Sequence, residues 1–240
     1  MKIKKILLLI FLVAIFSSCS VFKDSSKYEF SDGNYKSKIF NQTEQNVYIR
    51  NYEDVIEVYP ISKDQNNIFI VDTIANKKQI FSKANTSNLQ KTMLFSQNSF
   101  DIDFLTIPFK YRSSQKDLPK QFTTNLNGEI YLGYRTDFYN LRYKGNPLKK
   151  FERKITHYGF SFGLFTGFGA TAMNPSVTQE QIAKEYDGTV WSKGIAGIIG
   201  IDNFTIGLAY GFDDLMDSNK KHWIYQQKPW FGLAFGLNLN

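Results

Sequence analysis

Cysteine and histidine are nearly absent from this chain: Cys19 is the single cysteine, and His157 and His222 are the only histidines in 240 residues. One cysteine excludes an internal disulfide framework. The two histidines stand in no HxxxH or CxxC frame, so no metal site and no cofactor is expected. Long apolar runs are missing too. The longest, Ile6 to Phe16, is eleven residues, short of the about 20 that a bilayer-spanning helix requires. If the mature chain enters a membrane, it does so as strands. Charge of one sign is scarce: 29 Lys and Arg stand against 22 Asp and Glu, a formal charge of +7. Residues 1–18 carry Lys2, Lys4 and Lys5 and no acid, so without them 26 cations face 22 acids, a charge of +4. An excess so small and diffuse does not suit nucleic acid, whereas it suits proximity to anionic head groups.

What is present begins with the N-terminus. Lys2, Lys4 and Lys5, the apolar run, and Ser17-Ser18-Cys19 follow the order of a secretory signal: charged, apolar, then small residues. The segment resembles a bacterial lipoprotein signal, with Phe16 where leucine is usual. That resemblance implies cleavage after Ser18 and lipid attachment at Cys19. Stable anchoring takes two membrane signals, and a triacylated cysteine supplies more than one chain. Ser20 stands where an aspartate retains many lipoproteins in the inner membrane, so the expected location is the outer membrane.

The expected division is a signal at 1–18, a tether and small β-rich region at 19–97, and a β-barrel at 98–240. The first part of the mature chain is polar, with β-prone runs at 46–50, 55–61 and 68–74 between Asn/Asp/Lys turns. A polar connector covers 82–91. From Ser99 the pattern becomes strictly alternating. In Phe204-Thr205-Ile206-Gly207-Leu208-Ala209-Tyr210-Gly211-Phe212 every even position is bulky and every odd one small. Phe231, Leu233, Phe235, Leu237 and Leu239 repeat the device, as do Tyr158, Phe160, Phe162, Leu164 and Phe168. A period of two puts all the bulk on one sheet face. A soluble strand pairs its apolar face with a charged one, and here the opposite face is glycine, alanine and serine. Transmembrane barrels show this apolar-out repeat.

Six such segments occur, near 99–112, 122–137, 154–171, 188–201, 203–214 and 228–240. They predict an all-β fold, a small antiparallel up-and-down barrel of six to eight strands. The minimal turn at 201–203 contrasts with long polar links at 113–121, 172–187 and 213–227, as in barrels with short periplasmic turns and long outer loops. The stretch 138–153 breaks the scheme, being long and basic where a short turn belongs. It, or residues 30–75, supplies any further strands. Residues 99–240 resemble a small Gram-negative outer-membrane β-barrel, and the chain as a whole resembles an uncharacterised outer-membrane lipoprotein family. The likeness also draws on Tyr111, Tyr134, Tyr158, Trp191, Trp223 and Trp230 as an interfacial aromatic belt.

Catalytic motifs are weak. Gly159-Phe160-Ser161-Phe162-Gly163 spells G-x-S-x-G, but lies mid-strand without the strand-to-helix turn a nucleophile elbow needs. Gly167-Phe168-Gly169-Ala170-Thr171-Ala172 lacks the helix of a dinucleotide fingerprint. His222 with Asp213, Asp214 and Ser218 forms the one group that a lipid-modifying barrel enzyme would use, at no supporting spacing. Ser176 to Glu185 predicts a short capped helix. The first expectation is therefore a lipoprotein of structural or interaction role, without catalysis. It contacts outer-membrane lipid through acylated Cys19 and the barrel exterior. The alternative is a lipid-anchored soluble barrel that binds an apolar ligand, and the third reading is a lipid-modifying enzyme.

Overall fold

Alternation in the sequence becomes a sheet whose long strands serve two regions. In the computed structural model, the described residues are 30–52, 55–63, 69–73, 78–82, 92–145, 151–201 and 204–237. Twelve strands form one antiparallel sheet: β1 (Gly33–Ser37), β2 (Gln45–Asn51), β3 (Val55–Lys63), β4 (Phe69–Val71), β5 (Gln79–Ser82), β6 (Met93–Arg112), β7 (Gln121–Thr124), β8 (Asn127–Gly145), β9 (Phe151–Met173), β10 (Tyr186–Ile201), β11 (Phe204–Leu215) and β12 (Pro229–Leu237). The expected runs at 46–50 and 55–61 correspond to β2 and β3; of the run at 68–74, residues 68 and 74 lie outside the described residues and β4 takes up Phe69–Val71, whereas β1 and β5 carry no clear alternation.

Six strands close a ring. β6, β8, β9, β10, β11 and β12 are neighbours in that order, and β12 returns to β6 from Trp230↔Arg112 to Leu237↔Phe104. This is the small up-and-down antiparallel barrel that the alternation predicts. Each of the six alternating segments falls on one ring strand, except that 122–137 divides into β7 and β8. At that break the Asn127 side chain completes the ladder. Its Oδ1 accepts from Ile107 N and its Nδ2 donates to Ile107 O, both at 2.6 Å.

A bulge in β6 faces the break. Between Leu233↔Phe109 and Phe235↔Thr106, β6 carries one more residue than β12, and the proline at 108, which has no N–H to offer a ladder, sits there. The bulge exchanges the faces of β6. Asp101, Asp103, Leu105 and Ile107 point into the ring, and above it so do Lys110 and Arg112.

The stretch 138–153 departs from the barrel scheme for a simple reason. β8 and β9 run on beyond the ring: β10 leaves β9 at Ile201↔Tyr158, while β8 and β9 stay paired to Gly145↔Phe151. Together with the lower end of β6, these extensions join β1, β2, β3 and β5 in a curled sheet of order β5-β3-β2-β1-β6-β8-β9. The expected division at 97/98 falls inside β6.

This N-terminal β-region encloses a core of Phe30, Tyr35, Val47, Ile49, Ile56, Val58, Phe81, Met93, Phe95, Tyr139, Leu141 and Tyr143. Arg153 Nη1 donates to Asn51 Oδ1 at 2.9 Å and Tyr143 OH to Phe81 O at 3.2 Å, drawing the two edges together. Burial pushes the Tyr35 phenol up to about 12, which keeps it neutral and donating to Ser31 O at 2.9 Å.

At the opposite, upper end the long links pack over the ring. Met173, Val177, Val190, Leu215, Trp223, Ile224 and Tyr225 form a third cluster, held by Ile224 N donating to Val177 O at 3.0 Å. The helix expected at 176–185 is one 3-10 turn, Ser176–Thr178. Gln179 and Glu180 take positive φ of 53° and 59°, which ends helical progress at once. The Thr178 hydroxyl turns back to Asn174 O at 2.8 Å, so no capping box forms.

Candidate membrane-facing surface and filled lumen

Outside the ring, every strand contributes bulk. Phe100, Ile102 and Phe104 of β6, Ile130, Leu132 and Tyr134 of β8, and Phe160, Phe162, Leu164 and Phe168 of β9 face outward. Ile195 and Ile199, Ile206 and Leu208, and Phe231 and Leu233 continue the surface round β10, β11 and β12. Phe162, Leu208 and Phe231 are 63%, 70% and 61% exposed. Of the residues on which the apolar-out reading turns, Ile206 and Phe231 are exposed and Phe235 is half-buried. Contiguous apolar surface on soluble monomers seldom exceeds a few hundred Å², about 300–600 Å² at most, whereas this surface encircles the ring.

The belt has defined rims. Tyr158 to Phe168 covers about 34 Å of strand at about 3.4 Å per residue. At the about 40° tilt usual for barrels this gives a height near the about 25 Å apolar band of membrane barrels. At the upper rim Trp191 donates through Nε1 to Thr166 Oγ1 at 2.7 Å. Lys193 lies 4.3 Å from the Trp191 ring centroid and pairs with Asp214 at 2.7 Å. At the lower rim Phe138 stacks on Tyr158 at 5.5 Å. Tyr111 and Tyr134 also face outward. Trp223 and Trp230 do not belong to such a belt. Trp223 is buried in the upper cluster and Trp230 inside the ring, because each sits at a position whose neighbours are a loop core and a glycine-lined interior.

The interior is full. An eight-stranded barrel is just wide enough for side chains to fill, and six strands leave less. Inward glycines provide the room: a Cβ at Gly159 would lie 2.5 Å from Arg135 Nη2, and one at Gly211 2.6 Å from Trp230 Cζ2. Two hydrogen-bonded charged groups share the space with Glu129 and with an apolar cluster that includes Leu105, Ile107, Tyr131, Phe165 and Trp230. In the upper one Asp213 pairs with Lys110 at 3.1 Å and with Arg112, and accepts from Ser192 Oγ at 2.7 Å. Lys110 lies 4.4 Å from the Trp230 ring centroid, and Arg112 between Trp223 and Tyr225 at 5.4 and 5.1 Å. In the lower one Asp137 accepts from Arg135 Nε and pairs with His157 Nε2, both at 2.7 Å. His157 stacks on Tyr139 at 4.6 Å. Charges removed from water are tolerated where each has a hydrogen-bonded partner.

The residues considered for catalysis do not converge. Asp213 and Asp214 are successive and face opposite sides of β11, the first engaged as described, the second with Lys193 and Gln226. Ser218 is exposed in a 3-10 turn, Ser218–Lys221, and His222 N caps that turn on Asn219 O at 2.9 Å. Ser161 meets Tyr131 OH at 2.8 Å inside the ring. Gly167 and Gly169 are ordinary strand positions in β9. Cys19, the expected lipid attachment, lies outside the described residues, and so do residues 1–18. Among the described residues no group of three or more His, Cys, Asp or Glu is placed to hold a metal ion, and no helix is long and apolar enough to cross a membrane. No family model, curated protein or solved structure matches this chain.

The lumen charges escape simple sequence reading. Strict alternation from Phe104 places Lys110 and Arg112 outside. Only the bulge brings them in, and the proline at 108 within an alternating strand is the one signal of it.

Proposed function

We propose that this protein is an outer-membrane lipoprotein, acylated at Cys19, whose six-stranded ring sits in the bilayer and whose β1–β5 region faces the periplasm. Its role is structural or interactive rather than catalytic. One observation carries this reading. On β8 and β9 the outward face changes from polar to apolar partway along an unbroken strand. On β8 it reads Lys144, Arg142 and Asn140 below, then Tyr134, Leu132 and Ile130 above. On β9 it reads Glu152, Lys154 and Thr156, then Tyr158, Phe160 and Phe162. Water on both sides of that change would favour polar residues throughout, whereas hydrocarbon above it favours what is found.

The test is a Cys19→Ala variant. The ring then keeps the protein in the membrane pellet through an alkaline carbonate wash, with a mobility on unheated gels that changes on boiling. Release as a soluble species would overturn the embedded reading and favour a lipid-tethered soluble barrel. The packed lumen further predicts no ion conductance in planar bilayers, and steps of current would contradict it.

A further inference from the structure

Just below the belt, beside β6, a groove of about 770 Å³ opens between the ring and the N-terminal β-region. That volume lies within the about 300–1,000 Å³ of small-molecule sites. Its wall is of two kinds. Phe138, Leu94 and Ile80 are apolar, while Lys36, Lys38 and Lys78 bring positive charge. Lys78 is engaged by Glu57 at 2.7 Å, and Glu44, also on the wall, accepts from Ser96 at 3.4 Å. Lys36 and Lys38 are exposed and have no acidic partner among the described residues. Phe138 joins the groove to the belt: it stacks on Tyr158 and meets Phe160 edge-on at 6.4 Å. The apolar wall is thus continuous with the surface assigned to hydrocarbon, and the free cations stand where that surface ends.

We propose that this groove holds one anionic phospholipid, with its phosphate between Lys36 and Lys38 and an acyl chain along Phe138, Leu94 and Ile80. The proposal rests on the embedded reading of the ring, which puts the groove at head-group depth. Each lysine near an anionic lipid surface contributes about fivefold to affinity, so the pair contributes about 30-fold.

The experiment uses the full chain in detergent, mixed with equal amounts of phosphatidylglycerol and phosphatidylcholine and read by native mass spectrometry. One phosphatidylglycerol per chain is retained in preference to phosphatidylcholine. Lys36→Gln with Lys38→Gln lowers that retention about 30-fold and leaves the gel mobility of the folded ring unchanged. Leu94→Asp, on the apolar wall, weakens both lipids. Equal retention of the two lipids by the native chain overturns the proposal without recourse to any variant. Full preference in the double variant overturns it as well, and so does displacement of the lipid by an equal concentration of glycerol phosphate, which lacks the chain. Selective retention by a chain whose Cys19→Ala form leaves the membrane would support the groove and defeat the embedded ring. Loss of selectivity in a chain that stays embedded would do the reverse.

Discussion

Above Phe138, β8 turns Ile130, Leu132 and Tyr134 outward and Glu129, Arg135 and Asp137 inward; below it Arg142 and Lys144 face out, and Tyr139, Leu141 and Tyr143 face in. β6 does the same, with Asp101 and Asp103 inside the ring and Met93 and Phe95 inside the N-terminal β-region. One set of strands therefore builds an ordinary apolar core at one end and, at the other, a mixed core in an apolar coat, with buried charges beside Leu105, Ile107, Tyr131, Phe165 and Trp230. The pleat and the pairing do not change between them, so the difference lies in what each face meets. In the lower region stability comes from apolar area removed from water. In the ring that term is small if lipid surrounds it, and glycine-permitted packing and charge pairing inside take over.

The strongest way to break this contrast is to unpair the upper lumen charges. Asp213→Ala leaves Lys110 and Arg112 buried without their carboxylate and is expected to cost about 3–5 kcal/mol, read by urea unfolding of the protein in vesicles. A loss below about 1 kcal/mol would mean the cations are hydrated. Next comes the coat. Leu164→Arg places a charge in the belt and costs about 2–4 kcal/mol in a bilayer. Thr156→Arg, on the same face of β9 but below the rim, stays within about 0.5 kcal/mol. Equal costs at the two sites would erase the boundary.

Smaller effects sharpen the comparison. A Cβ at Gly211 meets Trp230 and Phe165 at 2.6 and 2.8 Å, whereas one at Gly128, on the outer face, meets nothing within 4 Å. Gly211→Ala should cost about 1–3 kcal/mol through overpacking and shift tryptophan fluorescence, while Gly128→Ala does neither. The smallest expected effect is a pH dependence confined to the lower region. Hydrogen bonds from Lys78 and then Tyr59 hold the Glu57 carboxyl below its ordinary value. A depressed folded pKa gives stability that is complete above the ordinary carboxylate range and is lost as pH falls through the folded value. Hydrogen exchange in β3 and β5 should therefore quicken on acidification below about pH 4, and Glu57→Gln should abolish that response.

Much of the ring was legible from alternation alone, because a period of two leaves each residue only two directions. The segments around Phe160, Leu208 and Leu233 each reappear as a ring strand with their bulk outward. The β-region was harder to read. Its polar strands β1 and β5 gain their place from Phe30, Tyr35 and Phe81 joining Tyr139 and Leu141 in one core, with Phe30 and Tyr139, 109 positions apart, in ring contact. The basic stretch 138–153 looked like a faulty turn because its face pattern inverts where β8 and β9 leave the ring. Trp223 and Trp230 leave the expected belt for a different reason: composition marks them as interfacial, while only three-dimensional packing turns them toward Arg112 and Lys110. The short helix at 176–185 had its capping residues but not the backbone to continue past Thr178.

The extra residue of β6 near Pro108 acts as a parity switch for everything above it. Excising Pro108 would leave Phe109 opposite Leu233 and Ile107 opposite Ala234 in an unbroken ladder, with Lys110 and Arg112 still facing the lumen. Excising a second residue would swing both cations out into the apolar belt and turn Phe109 and Tyr111 into the lumen. The strand thus tolerates the loss of one residue here but not of two, a rule imposed by geometry on the gene rather than by any one side chain.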